Sequence, residues 1–209
     1  TAITGVKPQY VMGNDLVYRY DRETAFWGGN EYFYFDSKDI HVPASGVYRL
    51  DRNKWVNSYL FTNVSRASNV YTYYPDINGD FLVTTINGMN PSNEADYTQV
   101  HFALEGKSTF WGREVYVYGK FSNYELREEY KLTYDEKDGL FKGKVLLKQG
   151  FYNYKFATKA GNTVDFNEIS GNFQQTENTY LVLVYYRAPG ALYDEVVGIG
   201  SASSTNITK

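Results

Sequence analysis

Side chains able to do chemistry are sparse in this sequence, and their spacing argues against most of it. There are two histidines, His41 and His101, and no cysteine. A zinc site would therefore need carboxylates at unusual spacing, while thiolate metal sites, thiol nucleophiles and disulfides are excluded. His101 alternates with Gln99 and Tyr97, opposite Val100 and Phe102, as an outward or hydrogen-bonded strand histidine does rather than a catalyst. No nucleophile elbow, Gly-rich phosphate loop or Walker-type lysine occurs. Acidic neighbours such as Asp135-Glu136 fall in turn sequences, as solvated charge rather than a buried acid–base pair. Asp76-Ile-Asn-Gly-Asp80 spaces oxygens as calcium prefers, but Gly79 is early for an EF-hand and no glutamate closes the loop. Asn-Gly is a strong hairpin signal, so a turn is expected there. No catalytic residue, metal ligand set or cofactor follows, and the chain is expected not to be an enzyme.

What remains is recognition. The block Phe26-Trp-Gly-Gly-Asn-Glu31 leads into an expected strand at 32–36. Gly28-Gly29 lets the backbone approach a neighbour closely, and Trp27 beside it is a natural anchor for a partner. Trp27, Gly28, Gly29, Asn30 and Tyr32 are therefore the candidate partner-binding residues. The same glycines also suit a bulge or tight corner, with Trp27 capping a core.

The elements that must position these residues read as strands throughout. The densest stretch is 114–156, with strands expected at 114–120, 131–134, 140–147 and 151–156. Asp135-Glu-Lys-Asp-Gly139 supplies a turn between two of them. Along 140–147, Phe141, Gly143, Val145 and Leu147 share one face, and along 151–156 Tyr152, Tyr154 and Phe156 do the same. Earlier strands are expected at 6–11, 16–20, 32–36, 47–50, 54–62, 69–74 and 81–86, with turns about every ten residues. The best boundary is the polar run Asn87-Gly-Met-Asn-Pro-Ser-Asn-Glu94. The expected fold class is all-β: two consecutive antiparallel β-sandwich modules, 1–95 and 96–200, followed by a polar tail at 201–209. The run 180–186 is apolar on both faces and reads as a central strand, and 191–200 as an extra strand or extended arm.

Composition agrees. Hydrophobic residues make up 43% of the 209, enough for a packed core, and 22 tyrosines and 13 phenylalanines favour pleated surfaces. Tyrosine in such excess also suits outer faces that meet another molecule. The net charge of −3 is evenly spread: residues 1–95 carry 8 basic and 10 acidic side chains, the remainder 13 and 14. Neither half offers the basic footprint that nucleic acid demands. No apolar run approaches the ~20 residues of a membrane-spanning helix. Thr1 does not open a signal peptide, so a mature, trimmed or partial chain is expected. Asn63-Val-Ser65 and Asn206-Ile-Thr208 match the glycosylation acceptor pattern, a short motif that arises by chance.

Two resemblances add to this reading. Val115-Tyr-Val-Tyr-Gly-Lys-Phe-Ser-Asn-Tyr124, Gly139-Leu-Phe141 and Leu147-Lys-Gln-Gly-Phe-Tyr-Asn-Tyr-Lys-Phe156 resemble the glycogen-binding-like early-set immunoglobulin module. That resemblance implies an early-set immunoglobulin-like second module, with Tyr124, Lys155, Thr176 and Asn178 as glycan-binding residues for an α-glucan. The second platform tryptophan of that family has no counterpart near 160–163.

The other resemblance covers the whole chain. Thr4-Gly-Val-Lys-Pro8, Asn14-Asp-Leu-Val-Tyr18, Phe26-Trp-Gly-Gly-Asn-Glu31 and Asp96-Tyr-Thr-Gln-Val-His-Phe102 open a series of ordered blocks. Leu147-Lys-Gln-Gly150, Thr176-Glu-Asn-Thr-Tyr180 and Val184-Tyr-Tyr-Arg187 continue it. Their order and spacing are similar to the plug-protein family of the type IX secretion system, with Trp27 where proline is commoner. The resemblance implies a non-enzymatic periplasmic protein, associated with the outer membrane, that docks on a large outer-membrane β-barrel translocon and occludes its periplasmic opening. It also implies an upstream β-domain, making this chain the C-terminal portion of a longer protein.

Overall fold

The computed structural model describes residues 2–107 and 110–206. Alternation and turn chemistry produce strands wherever 114–156 demanded them: β8 (Glu114–Tyr118), β9 (Lys131–Asp135), β10 (Leu140–Lys148) and β11 (Gly150–Ala160). They are preceded by β1 (Tyr10–Met12), β2 (Asp15–Val17), β3 (Phe33–Asp36), β4 (Val47–Arg52), β5 (Val56–Leu60), β6 (Phe81–Val83), a single turn of helix at Pro91–Glu94, and β7 (Tyr97–Glu105). β12 (Thr163–Asp165), β13 (Thr179–Tyr186) and β14 (Glu195–Ser203) follow. The protein is all-β and sandwich-like.

Ten strands form one sheet, running β12-β11-β8-β9-β10-β7-β5-β4, with β3 and β6 also paired to β11. The division expected at residue 95 does not separate the hydrogen bonding. β5 runs parallel to β7, with Val56 opposite Thr98, while β3 and β6 lie antiparallel to β11. Strands of the first half thus cover edges that the second half would otherwise leave open. The sheet folds over one core, in which Phe35, Phe102, Tyr152, Tyr154 and Phe156 are fully enclosed. Tyr152 lies flat between Phe35 (5.1 Å) and Phe81 (5.2 Å), and Phe102 meets Tyr154 edge-on at 5.1 Å. Such pairs contribute about 0.5–1.5 kcal/mol each beyond area burial.

Three expectations are corrected. Residues 69–74 form no strand: Tyr71 instead anchors an open loop, its ring against Phe173 and its hydroxyl donating to Glu31. The central strand is β11, buried on both faces, whereas 180–186 belongs to β13, which pairs only with β14 in a separate two-stranded ribbon. An apolar run signals surface that avoids water; it does not specify what covers it. The polar tail expected at 201–209 is in part the end of β14, and positions 207–209 lie outside the described residues.

Candidate functional site

β11 positions the site. Its inward residues Tyr152, Tyr154 and Phe156 fill the core, and the alternate residues Asn153, Lys155 and Ala157 face the other way, yet these too are buried. They are roofed by two pieces of the first half of the chain: residues 28–32 and the loop at 76–80.

The loop is the turn expected from Asn-Gly, with Asn78 and Gly79 both at positive φ (55° and 80°). It is pinned to β11 through Asn153, whose Oδ1 accepts from Ile77 N at 2.6 Å, and through Asn153 N donating to Asp80 O at 3.0 Å. Asp76 caps it, its carboxylate accepting from Asn78 N and from Tyr32 N at 2.6 Å. Tyr124, on a corner where Asn123 and Tyr124 both adopt positive φ, donates its hydroxyl to Asn78 O at 3.1 Å.

The glycine pair is a close approach and a left-handed corner at once. A Cβ on Gly28 would sit 2.2 Å from the carbonyl oxygen of Phe173, and Gly29 has φ +72°. Gly28 O accepts from Asn178 Nδ2 and Gly29 O from Thr176 Oγ1, both at 2.9 Å. Asn30 donates to Ser170 O, and the Arg66 guanidinium, lying 3.8 Å over the Phe33 ring, donates to Glu31 O. Trp27 does not cap the core: it is 79% exposed.

The two sets of residues singled out in the sequence therefore meet in one place. Gly28, Asn30 and Tyr32 line the same recess, of about 150 Å³, as Lys155, Thr176 and Asn178, with Glu31, Asp76 and Glu177 beside them. Thr176, Asn178 and Tyr124 spend hydrogen bonds on the chain's own backbone, whereas Lys155 Nζ donates none; it lies 4.1 Å from the centre of the Tyr32 ring. Lys155 is 8% exposed. Burial, helped by Arg66 and opposed by Asp76 and Glu31, pushes its ammonium down to about 8. Burial raises the Glu31 carboxyl, and Asp76 adds to this, against the Tyr71 hydrogen bond and Lys155. Sequence reasoning missed Glu31, Asp76 and Glu177 as site residues. Its one signal was the Asp-x-Asn-Gly loop, whose oxygens serve backbone N–H groups, and no metal-ligating cluster occurs among the described residues.

Beside the recess stands the ribbon. Its base is tied by Ser204 and Asn178, which exchange hydrogen bonds at 2.9 Å, and Phe26 meets Tyr180 at 5.9 Å. Beyond that base Leu181, Val182, Tyr185, Val197 and Ile199 are all more than half exposed, and Leu192 in the connecting loop is 95% exposed. The Arg187–Asp194 pair closes the loop end through two 2.9 Å hydrogen bonds.

This fold is shared with the crystal structure of a hypothetical protein from Parabacteroides merdae ATCC 43184. The two superpose with a TM-score of 0.84 at 32% sequence identity, over 94% of this chain and 50% of that one. The chain thus spans half the length of that solved protein. No protein-family model matches the sequence, and no curated protein matches it.

Proposed function

We propose that this protein is a non-enzymatic interaction protein of the periplasm that docks on the periplasmic opening of the type IX outer-membrane β-barrel translocon and occludes it. The ordered sequence blocks shared with the plug-protein family are the reason for naming that partner. The observation that carries a docking role is the set of exposed apolar side chains on the β13–β14 ribbon, with Trp27 exposed in the segment whose Phe26 meets the ribbon at Tyr180. Monomeric surfaces seldom leave so many large apolar side chains together in water, and those that do mark interaction sites. A closely packed sheet behind that surface supports occlusion by shape. No helix among the described residues is long and apolar enough to cross a membrane. In this reading residues 96–200 supply an early-set immunoglobulin-like framework, and residues 1–95 add strands and a roof to it.

The α-glucan reading has less support. Three of its four side chains, Tyr124, Thr176 and Asn178, hold the chain's own backbone across the face where an extended glucan would lie. The docking reading is tested by co-purifying the full-length gene product with the large outer-membrane barrel, wild type against Trp27→Ala with Leu181→Asp, both at exposed positions. Loss of the barrel from the variant is expected. If deleting the gene leaves secretion and barrel permeability unchanged, the reading is wrong.

A further inference from the structure

We propose that the free edge of β13 is an interface with a second copy of this chain, the two strands running antiparallel about a twofold axis at Leu183. Two ribbons then join as one four-stranded sheet. A two-stranded ribbon is marginal in water by itself, and a sheet holds better with three strands or more. β13 and β14 pair only with each other, and among the described residues no hydrogen bond reaches the backbone of 179–186 from outside the ribbon. Leu181, Val182, Tyr185 and Tyr186 are all more than half exposed, so that backbone can be reached.

The two edges of the ribbon differ. Val184 faces Gly198 and Tyr185 faces Val196, so Val197 is the extra residue of a bulge in β14. Gly198 and Gly200 weaken that strand further for pairing. A bulged edge bearing glycine is guarded against strand addition, whereas β13 carries no extra residue and is built of side chains that suit a pleated surface.

The sequence of β13 matches its own copy. With Leu183 opposite Leu183, Val182 meets Val184, Leu181 meets Tyr185 and Tyr180 meets Tyr186. Every opposed pair is apolar or aromatic, on both faces of the sheet, and such cross-strand pairs are the unit of sheet stabilisation. No charged residue lies between 179 and 186. Just beyond the strand, Arg187 of each copy falls diagonally across from Glu177 of the other, within reach of a long side chain. The contact is isologous and closes at two copies, because the bulged β14 strands form the outer edges of the joined sheet.

The inference does not rest on the translocon reading: dimerisation is read on the chain alone and docking on the barrel, and either can fail without the other. Sedimentation equilibrium of the 209-residue chain is expected to show a reversible species of twice its 24.0 kDa. Leu183→Lys sets two lysines opposite each other at the axis and should raise the dimer Kd tenfold or more. Leu183→Glu should do the same, and mixing the two variants should restore a dimer, which also shows that both are folded. The chain has no cysteine, so one introduced thiol reports its neighbour. Under oxidation by copper phenanthroline, Leu183→Cys should cross-link to a dimer faster than Ile199→Cys on exposed β14. The proposal is overturned if the chain stays monomeric at all concentrations or forms open-ended oligomers. It is equally overturned if the lysine and glutamate variants fail to pair on mixing, or if the β14 thiol cross-links as fast as the β13 thiol.

Discussion

Replacing Lys155 by Met is expected to stabilise the protein at neutral pH and to do so less and less as pH rises. The lysine's ordinary pKa of 10.5 falls to about 8 in the folded chain, mainly through burial, a difference worth roughly 3 kcal/mol at about 1.4 kcal/mol per pKa step. Methionine keeps most of the apolar stem and forfeits the contact of the ammonium with the Tyr32 ring, about 1 kcal/mol at a partly desolvated site. The net gain is therefore about 2 kcal/mol, or a rise in Tm of roughly 4–8 °C for a chain of this size.

The sign follows from proton linkage. Below pH 8 both folded and unfolded chains hold the Lys155 proton, and the wild type carries the whole cost. Between about pH 8 and 10.5 the unfolded chain still holds the proton and the folded chain does not, so wild-type stability rises with pH relative to the variant. Urea unfolding of both proteins at pH 7, 8, 9 and 10 reads this directly, because tyrosines titrating in both cancel in the difference. A difference that stays flat over that range, or a Met variant less stable at pH 7, would refute the reasoning that Lys155 is buried without a partner.

Other expectations follow from the same geometry. Gly28→Ala drives a methyl into the Phe173 carbonyl and should cost about 1–3 kcal/mol in thermal or urea unfolding. Trp27→Ala, at an exposed side chain, should leave stability within about 0.5 kcal/mol of wild type. Amide hydrogen exchange should be faster along β13 and β14 than along β11, since the ribbon is exposed and β11 is enclosed. Burial, with Lys144 and Arg49 adding, lowers the His101 pKa, so its imidazole should protonate below the ordinary 6.5 in an NMR titration. Because the unfolded chain takes that proton first, His101 makes the fold lose stability as pH drops from 6.5.

The strands were legible where one face is wet and the other dry. β10 buries Phe141, Val145 and Leu147 and exposes Lys144 and Leu146, a period-two pattern that needs no knowledge of its neighbours. β11 and β13 show where that signal ends. β11 carries Asn153 and Lys155 at alternate positions, as a half-exposed strand would, yet is buried on both faces because a loop and an extended segment from the first half cover the polar side. β13 reads as Tyr-Leu-Val-Leu-Val-Tyr-Tyr, as an enclosed strand would, yet stands out with β14 alone. In both, the deciding fact is what lies opposite, and hydrophobic pattern records only what a side chain prefers.

The site was legible as residues but not as a place. The glycine block and the Lys155–Asn178 set arose from separate arguments, and the hydrogen bonds that join them span about 150 positions of sequence. Glycines announce that something comes close without saying what; here it is the Phe173 backbone carbonyl at Gly28. Thr176 and Asn178 are short side chains well suited to capping carbonyls, and this geometry gives them that task. Lysine has no comparable alternative. Once the roof takes Asn153 Oδ1, Asp76, Thr176 and Asn178 Nδ2 for its own backbone, the Lys155 ammonium receives no hydrogen-bond acceptor from the chain and faces the recess, where water or a ligand can supply one.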